Sequence, residues 1–520
     1  MEMMKNRILN MFIGDRESTT CSFLQLRRVN VIFLFLSCNS CFNLFAQEKA
    51  NILVICTDQA HPGIVGYRGN TVIKTPNIDK LAADGVYFTR TYVSSPVSGP
   101  SRASYMTGKY IHQIEYWYNA QAWPKDAVLW SHRVTDNGYY TGHFGKMDSP
   151  DVYGELGFDE EWHSMIRKAT NIIEPDKRFL PENQRKAKGH LAVKTFKLED
   201  YSEKEKGKFG QYALDRPTTD RTLKFLKERK VDGKPWMLHV GYLMPHWPYT
   251  LPQKYFDMYA EVDIPMPHDA NFPNLNMHPA LQYFQKWDGL DVTPDQNDFK
   301  KALRAYYGMV TCIDDMVGEI ITQLKESGMY ENTYIIFTSD HGDNLGEHGL
   351  MGNKHTAMEG SVSVPLIIAG PNVNKGTKVD MPTALIDLYP TIMDMADIKY
   401  TDPEMPGCSL LPVVQGKKNS EDRIILSEWH GVGFPGAWYM LVNKKYKYIY
   451  YERDRPSLFD IESDPQEMND LALDPAYSNM LTMFENELNK RLDPVATAIK
   501  ARIHQKLITN DGKDLMFDRN

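Results

Sequence analysis

Cysteine is scarce, with six in 520 residues. Cys21, Cys38 and Cys41 fall within the first 46 positions, leaving Cys56, Cys312 and Cys408 far apart and odd in number. Those three imply neither a disulfide framework nor a Cys-rich metal site, and they read as buried apolar side chains. Long apolar runs are lacking too. The run from Val29 to Phe45, after Arg27 and Arg28, is broken by Ser37, Asn39, Ser40 and Asn43. It is too short and too polar for a transmembrane segment. It reads as a signal peptide over residues 1–46, cleaved near Ala46, for a periplasmic or secreted protein. The alternative is a surface lipoprotein anchored at Cys38 or Cys41. An excess of positive charge is also missing. The formal net charge is −8, and −10 without residues 1–46, which argues against a general nucleic-acid or polyanion binder. Any anionic substrate must therefore be held by a local cluster of cations.

What the chain does have is material for a large core, 42% hydrophobic against 24% charged residues. Short apolar runs predict buried parallel strands, and each ends in a residue able to do chemistry. Asn51 to Cys56 leads to Asp58 and Gln59. The segment N-G-Y-Y-T-G-H-F-G-K-M-D from Asn137 delivers Lys146 and Asp148. Pro235 to Met244 is followed by His246, and Tyr334 to Thr338 by Asp340 and His341. Val364 to Gly370 forms another strand, after Lys354. Apolar residues at helical spacing from Phe299 predict a long amphipathic helix closed by Gly328. Strands alternating with helices indicate an α/β fold with a doubly wound, mainly parallel sheet, whose ligands bind outside the carboxyl ends of the strands. Asp58, Lys146, His246 and Asp340 can converge there from nearly 300 positions apart. Residues 165–210 read as a surface insertion, and its Arg185, Lys186 and Lys188 either guide an acidic glycan or are simply solvated. After about residue 395 the alternating segments R-I-I-L-S-E-W-H, W-Y-M-L-V and K-Y-K-Y-I-Y-Y, with a helix over 475–492, predict a smaller α+β domain over 396–520. The catalytic domain then covers 47–395.

The stretch S-S-P-V-S-G-P-S-R-A-S-Y-M-T-G-K-Y from Ser94 to Tyr110 organises the rest. Pro100 fits the first helical position and Gly108 a left-handed C-cap. Ser98 and Gly99 then lie at the helix mouth, with Arg102 one turn in as a forked cation for a tetrahedral oxyanion. A hydroxyl so placed is either a nucleophile facing phosphate or sulfate, or part of an ordinary capped surface helix.

S-G-P-S-R-A-S-Y-M-T-G resembles the sulfatase signature, a Cys or Ser, any residue, then Pro-Ser-Arg, with Thr-Gly closing the helix. The resemblance extends through G-K-M-D, P-H-W-P, S-D-H-G-D, K-H-T-A-M-E-G and L-F-D-I-E-S-D-P-Q-E-M-N-D-L, nearly the whole mature chain. It implies an alkaline-phosphatase-like fold, conversion of Ser98 to formylglycine by a radical maturase, and a sulfated carbohydrate as substrate. It also implies a metal held by Asp58, Asp340, His341, Gln59 and the modified Ser98. Oxygen donors favour Ca²⁺, with Mg²⁺ second. Arg102 would hold the nucleophile, Lys146 and Lys354 the sulfate charge, and His246 either the leaving alcohol or a sulfate oxygen. Asp148 stands where most sulfatases have histidine. Gln59 takes the place of a second aspartate found in many of them. G-H-F-G-K-M-D and the W-Y-M-L-V-N-K-K-Y-K-Y-I-Y-Y block resemble the glucuronate 2-sulfatases, and other motifs the choline-sulfatase-like enzymes. The rival readings are a phosphatase or phosphodiesterase of the same superfold with unmodified Ser98, and a glycan-binding protein without catalysis.

Overall fold

The computed structural model describes residues 49–119, 121, 123, 126–149, 156–164, 191–229, 233–418, 422–431 and 433–508. The signal segment, its cysteines, and Arg185, Lys186 and Lys188 lie outside them. Among the described residues no helix is long and apolar enough to cross a membrane.

Eight strands form the central sheet: β1 (Asn51–Asp58), β2 (Val86–Phe88), β3 (Tyr140–Gly145), β4 (Glu160–His163), β5 (Trp236–Pro245), β6 (Thr333–Ser339), β7 (Leu366–Ala369) and β8 (Thr377–Val379). Their order is β8-β2-β7-β6-β1-β5-β3-β4. β1 lies at the centre, pairing in parallel with β5 and β6, and all its residues are buried, as expected of a strand covered on both faces. The sheet is mainly parallel, as expected, with one exception. β7, the segment after Val364, runs antiparallel to both neighbours.

The helices that matter for the site are α1 (Pro76–Asp84), α2 (Ser98–Thr107), α3 (Tyr212–Glu228) and α4 (Gln296–Glu326). The long α4 buries the apolar stripe its spacing predicts. Its Asp314 accepts from the backbone N–H groups of Asn77 and Ile78, at 3.2 and 2.8 Å, so α4 caps the free N-terminus of α1. α2 begins two residues earlier than Pro100 suggests, with Val97 as N-cap and Pro100 as its third residue. Proline is tolerated there because the first turn's N–H groups have no partner inside the helix. Gly108 does close α2 in the left-handed region, at φ 73°.

A second, antiparallel sheet of four strands follows: β9 (Ile425–Trp429), β10 (Trp438–Val442), β11 (Tyr446–Tyr451) and β12 (Ser457–Asp460). It backs the loops of the central sheet. Glu428 N donates to Ser94 O at 2.9 Å, and the Trp438 indole to His355 O at 2.9 Å. The helix expected near the end of the chain is α5 (Ser478–Arg491), with 475–477 forming a separate 3₁₀ turn, and a further helix, Pro494–Ile508, follows it. Of the three outlying cysteines Cys56 and Cys312 are buried, but Cys408 is exposed, its thiol against the Arg423 guanidinium.

Candidate active site

β1 and β6 run side by side in register, Thr57 opposite Ser339, so the residues that follow emerge together. Asp340 N donates to Thr57 O at 3.2 Å, extending the ladder by one bond. Asp58, Asp340 and His341 are thereby gathered into one buried group whose potential ligand atoms lie within 4.8 Å of one another. The hydrogen bonds fix how His341 faces. Its Nδ1 lies 2.8 Å from Gly342 O, and a carbonyl only accepts, so Nδ1 carries the proton and Nε2 presents a bare lone pair. That lone pair sits 3.7 Å from Asp58 Oδ1 and 3.7 Å from Asp340 Oδ1. Asp58 Oδ1 has no hydrogen-bond partner although it is buried. Two carboxylates and an unprotonated imidazole nitrogen pointed at one spot, one oxygen unpartnered, are a donor set that a divalent cation fits. Burial, reinforced by the positive Lys354, keeps His341 well below the usual histidine range, so it stays neutral.

α2 brings Ser98 to this group. Ser98 Oγ lies 3.3 Å from Asp58 Oδ2 and 3.1 Å from His341 Nε2. Its hydroxyl makes no capping bond to the helix, so it faces the site rather than its own backbone. Arg102, one turn on and fully buried, donates through Nε to Asp340 Oδ2 at 3.0 Å and through NH1 to Lys146 O at 3.1 Å. Its other nitrogen reaches Asp58 Oδ2 at 3.5 Å. Lys146, delivered by β3, sets its ammonium on Asp58 Oδ2, 3.4 Å from Ser98 Oγ and 3.6 Å from Asp148 Oδ2. Asp148 is buried with φ 61°, a left-handed conformation that is strained for a residue with a side chain.

The two aspartates differ sharply in charge preference. Burial alone would raise Asp58, but the Lys146 ammonium beside it holds it well below the usual carboxylate range. Asp340 is pushed up to about 7 because burial and the charge of Asp58 outweigh Arg102. A cation between them would favour ionising both.

His246 and Lys354 form the outer wall. α3 positions the first: Asp215 accepts from Leu243 N and Met244 N, both at 2.8 Å, at the end of β5. His246 Nε2 lies 2.9 Å from Lys354 Nζ, and Nδ1 contacts Trp247 O. Burial, with Lys354 adding to it, pushes the His246 imidazole down to about 3. Gln59, at φ 63°, accepts from Lys354 Nζ through its amide oxygen at 3.1 Å and donates its backbone N–H to Asp340 Oδ1 at 3.2 Å.

The structure therefore brings together Asp58, Gln59, Ser98, Arg102, Lys146, Asp148, His246, Asp340, His341 and Lys354. Lys444 and Lys445 lie on the surface near Asp380 and Asp460, outside this group. His112 and His355 are structural, the first paired with Glu428 and the second stacked on Trp429. The sequence reading missed Asp215 and the buried Asp343. Asp343 closes S-D-H-G-D, a motif long enough to have flagged it. Asp215 sits in a helix with no such signal.

A hydroxyl flanked by a cation-ready pocket and fixed positive side chains, at the carboxyl ends of a doubly wound sheet, marks a hydrolase of charged esters. The family model described as Sulfatase matches residues 50–398, and one described as N-sulphoglucosamine sulphohydrolase, C-terminal, matches 346–493. The chain belongs to the sulfatase family and is a sulfuric ester hydrolase. It is 31% identical to a choline-sulfatase of Rhizobium meliloti (strain 1021) over 441 residues, covering 82% of this chain and 83% of the relative. Among solved structures it resembles BT4656 in complex with its substrate D-glucosamine-2-N,6-O-disulfate. That match has TM-score 0.70 and 20% identity, covering 86% of this chain and 99% of the other. BT1596, a 2-O GAG sulfatase, follows at TM-score 0.66 and 24% identity, covering 85% and 92%. At those identities the structural matches speak for the fold.

Proposed function

We propose that this sulfatase removes a sulfate ester from a carbohydrate, acting from the chain end as a 2-O-sulfatase on uronic acids of heparan or chondroitin sulfate oligosaccharides. The observation that carries the hydrolytic part is the position of Ser98 Oγ, within 3.4 Å of Asp58, His341 and Lys146 at once. A hydroxyl held by a carboxylate, a bare imidazole nitrogen and an ammonium is set up for reaction rather than for helix capping. The carbohydrate part is supported by BT4656 and BT1596, whose names carry sulfated sugars, and by the 2-sulfatase-like sequence blocks. The choline-sulfatase relative favours a second reading, in which the alcohol is choline.

In this reading a radical maturase oxidises Ser98 to formylglycine, whose hydrate supplies the attacking hydroxyl. Ca²⁺, with Mg²⁺ as the alternative, would be held by Asp58, Asp340 and His341, and would supply positive charge for a sulfate oxygen and acidify the nucleophile. Gln59 belongs to the same wall, orienting Lys354 through its amide oxygen. Lys146 Nζ donates to the oxygen at position 98 and stabilises charge shifting onto the sulfuryl oxygens. Lys354 and His246 bind sulfate from the opposite side. Arg102 fixes both aspartates and the Lys146 peptide, so the cations need no rearrangement when charge moves. We assign to Asp148, linked through Lys146 to position 98, the role of the histidine that stands at this place in most sulfatases. We further propose a periplasmic or secreted location for the mature chain, on the signal-like segment before Gln47.

The test compares kcat/KM for 2-sulfated unsaturated or terminal uronate disaccharides with that for choline sulfate. Faster turnover of the disaccharides supports the glycan reading, and faster turnover of choline sulfate replaces it with the second.

A further inference from the structure

Behind the site, two histidines face each other in the middle of the sheet. His143 on β3 and His239 on β5 are register partners, and both are fully buried. Neither touches Ser98, the aspartates or the outer wall, yet together they join three elements that deliver site residues. β3 leads to Lys146, β5 to His246, and α2 carries Ser98 and Arg102 as well as Tyr105. Tyr105 OH lies 3.0 Å from His239 Nε2, His239 Nδ1 lies 3.1 Å from His143 Nδ1, and His143 Nε2 lies 3.2 Å from Gly145 O.

The direction of this chain follows from its last member. Gly145 O accepts only, so His143 Nε2 carries the proton. Burial holds both rings neutral, His239 pushed down to about 3 and His143 well below the histidine range. A neutral His143 then has a bare Nδ1, which must accept from His239 Nδ1–H. His239 Nε2 is bare in turn and accepts the Tyr105 hydroxyl, whose other neighbour, Cys56 Sγ, is 4.0 Å away. Every proton in the chain is thus fixed, and each bond runs from α2 toward the exit of β3.

That exit is a tight place. Gly145 has φ 99°, and a Cβ there would come within 2.0 Å of Gly241 O. Its carbonyl takes a second bond from Ser164 N at 3.1 Å, while the next residue, Lys146, donates its N–H to Gly241 O at 2.8 Å. The Lys146 carbonyl is held by Arg102 at 3.1 Å. Of these three groups, the Gly145 carbonyl is the one that also meets a side chain from the sheet interior, His143.

We propose that His143 and His239 are positioning residues for Lys146, a one-way hydrogen-bond chain from Tyr105 that fixes the peptide delivering this lysine to Ser98. The proposal rests on the reading of Lys146 as a site residue. Its first test does not. Ring-nitrogen NMR of the full chain labelled with ¹⁵N-histidine should show His143 protonated at Nε2 and His239 at Nδ1, both unchanged from pH 5 to 9. The opposite tautomer of either ring, or a charged ring, overturns the chain. The second test uses a sulfate ester that the parent turns over. His143→Leu should lower kcat by about 10- to 100-fold with KM little changed. His143→Gln, whose amide can donate to Gly145 O and accept from His239, should recover most of that loss. A folded His143→Leu with parental kcat overturns the positioning role, as does a folded His143→Gln no better than Leu. If the Leu variant does not fold, a folded Gln variant with parental kcat supports the role and one with the full loss overturns it. If the parent turns over no sulfate ester, the functional reading fails while the NMR result still decides the chain.

Discussion

Lys354 Nζ stands 2.9 Å from His246 Nε2, and because an ammonium only donates, the imidazole accepts there and keeps its proton on Nδ1, toward Trp247 O. The site therefore presents a neutral His246 bound to a positive Lys354, a pair suited to sulfate oxygens. Replacing Lys354 with alanine should lower kcat/KM by about 10²- to 10³-fold, the scale seen when one donor to a developing charge is removed. The melting temperature should move little. Steady-state kinetics with a thermal melt check both, and an unchanged kcat/KM would remove Lys354 from the site.

Ser98→Ala should abolish turnover while the protein still folds. The helix N-cap is Val97 and the Ser98 hydroxyl caps nothing, so what is lost is its contacts with Asp58, His341 and Lys146, at a cost of about 1 kcal/mol. In the parent, the peptide bearing position 98 should be lighter than encoded by two hydrogens wherever maturation has occurred. Peptide mass spectrometry reads this directly, and an active protein with only encoded mass would refute the formylglycine.

Removing divalent cations should lower both activity and melting temperature. A cation present at about 100 times its Kd stabilises the native state by about 2.7 kcal/mol. Asp340→Asn should lose most of that response to added Ca²⁺. Elemental analysis, a melt after thorough chelation and readdition of Ca²⁺ or Mg²⁺ check this. Unchanged activity and melting with no metal detected would exclude the site.

Stability should also depend on pH through Glu428, buried beneath His112 and His430. Burial alone would raise its carboxyl, but the two histidines hold it down to about 2, against an ordinary value near 4.5. A carboxylate depressed in the folded state stabilises above its unfolded value and loses that contribution as pH falls through its folded value. The window is therefore from about 4.5 down to about 2. Glu428→Gln should be less stable than the parent at pH 7, with the gap closing across that window. Melts of both proteins at matched pH values check it, and a constant gap would contradict it.

Much of this site was legible because its residues follow strands. A buried run ending in Asp58, Lys146, His246 or Asp340 advertises both the strand and the group it exposes. Other features depend on facts that no local pattern carries. The reversal of β7 depends on how the chain returns to the sheet, and its apolar run would look the same in either direction. His143 and His239 interrupt apolar strands singly, and a lone histidine there is indistinguishable from a satisfied core residue until its partner is seen across the ladder. Asp215 works by accepting two backbone N–H groups from a segment 28 residues away, which spacing does not reveal. The start of α2 was misplaced because Pro100 suits the first helical position and is also tolerated at the third.

The central claim, that Ser98 becomes the nucleophile of a sulfatase, is tested most directly by kcat/KM for a sulfate and a phosphate monoester of the same alcohol. Both are measured on the matured protein and on Ser98→Ala. The sulfate should be the better substrate, and Ser98→Ala should hydrolyse neither. Preferred hydrolysis of the phosphate by protein whose Ser98 is unmodified would contradict it.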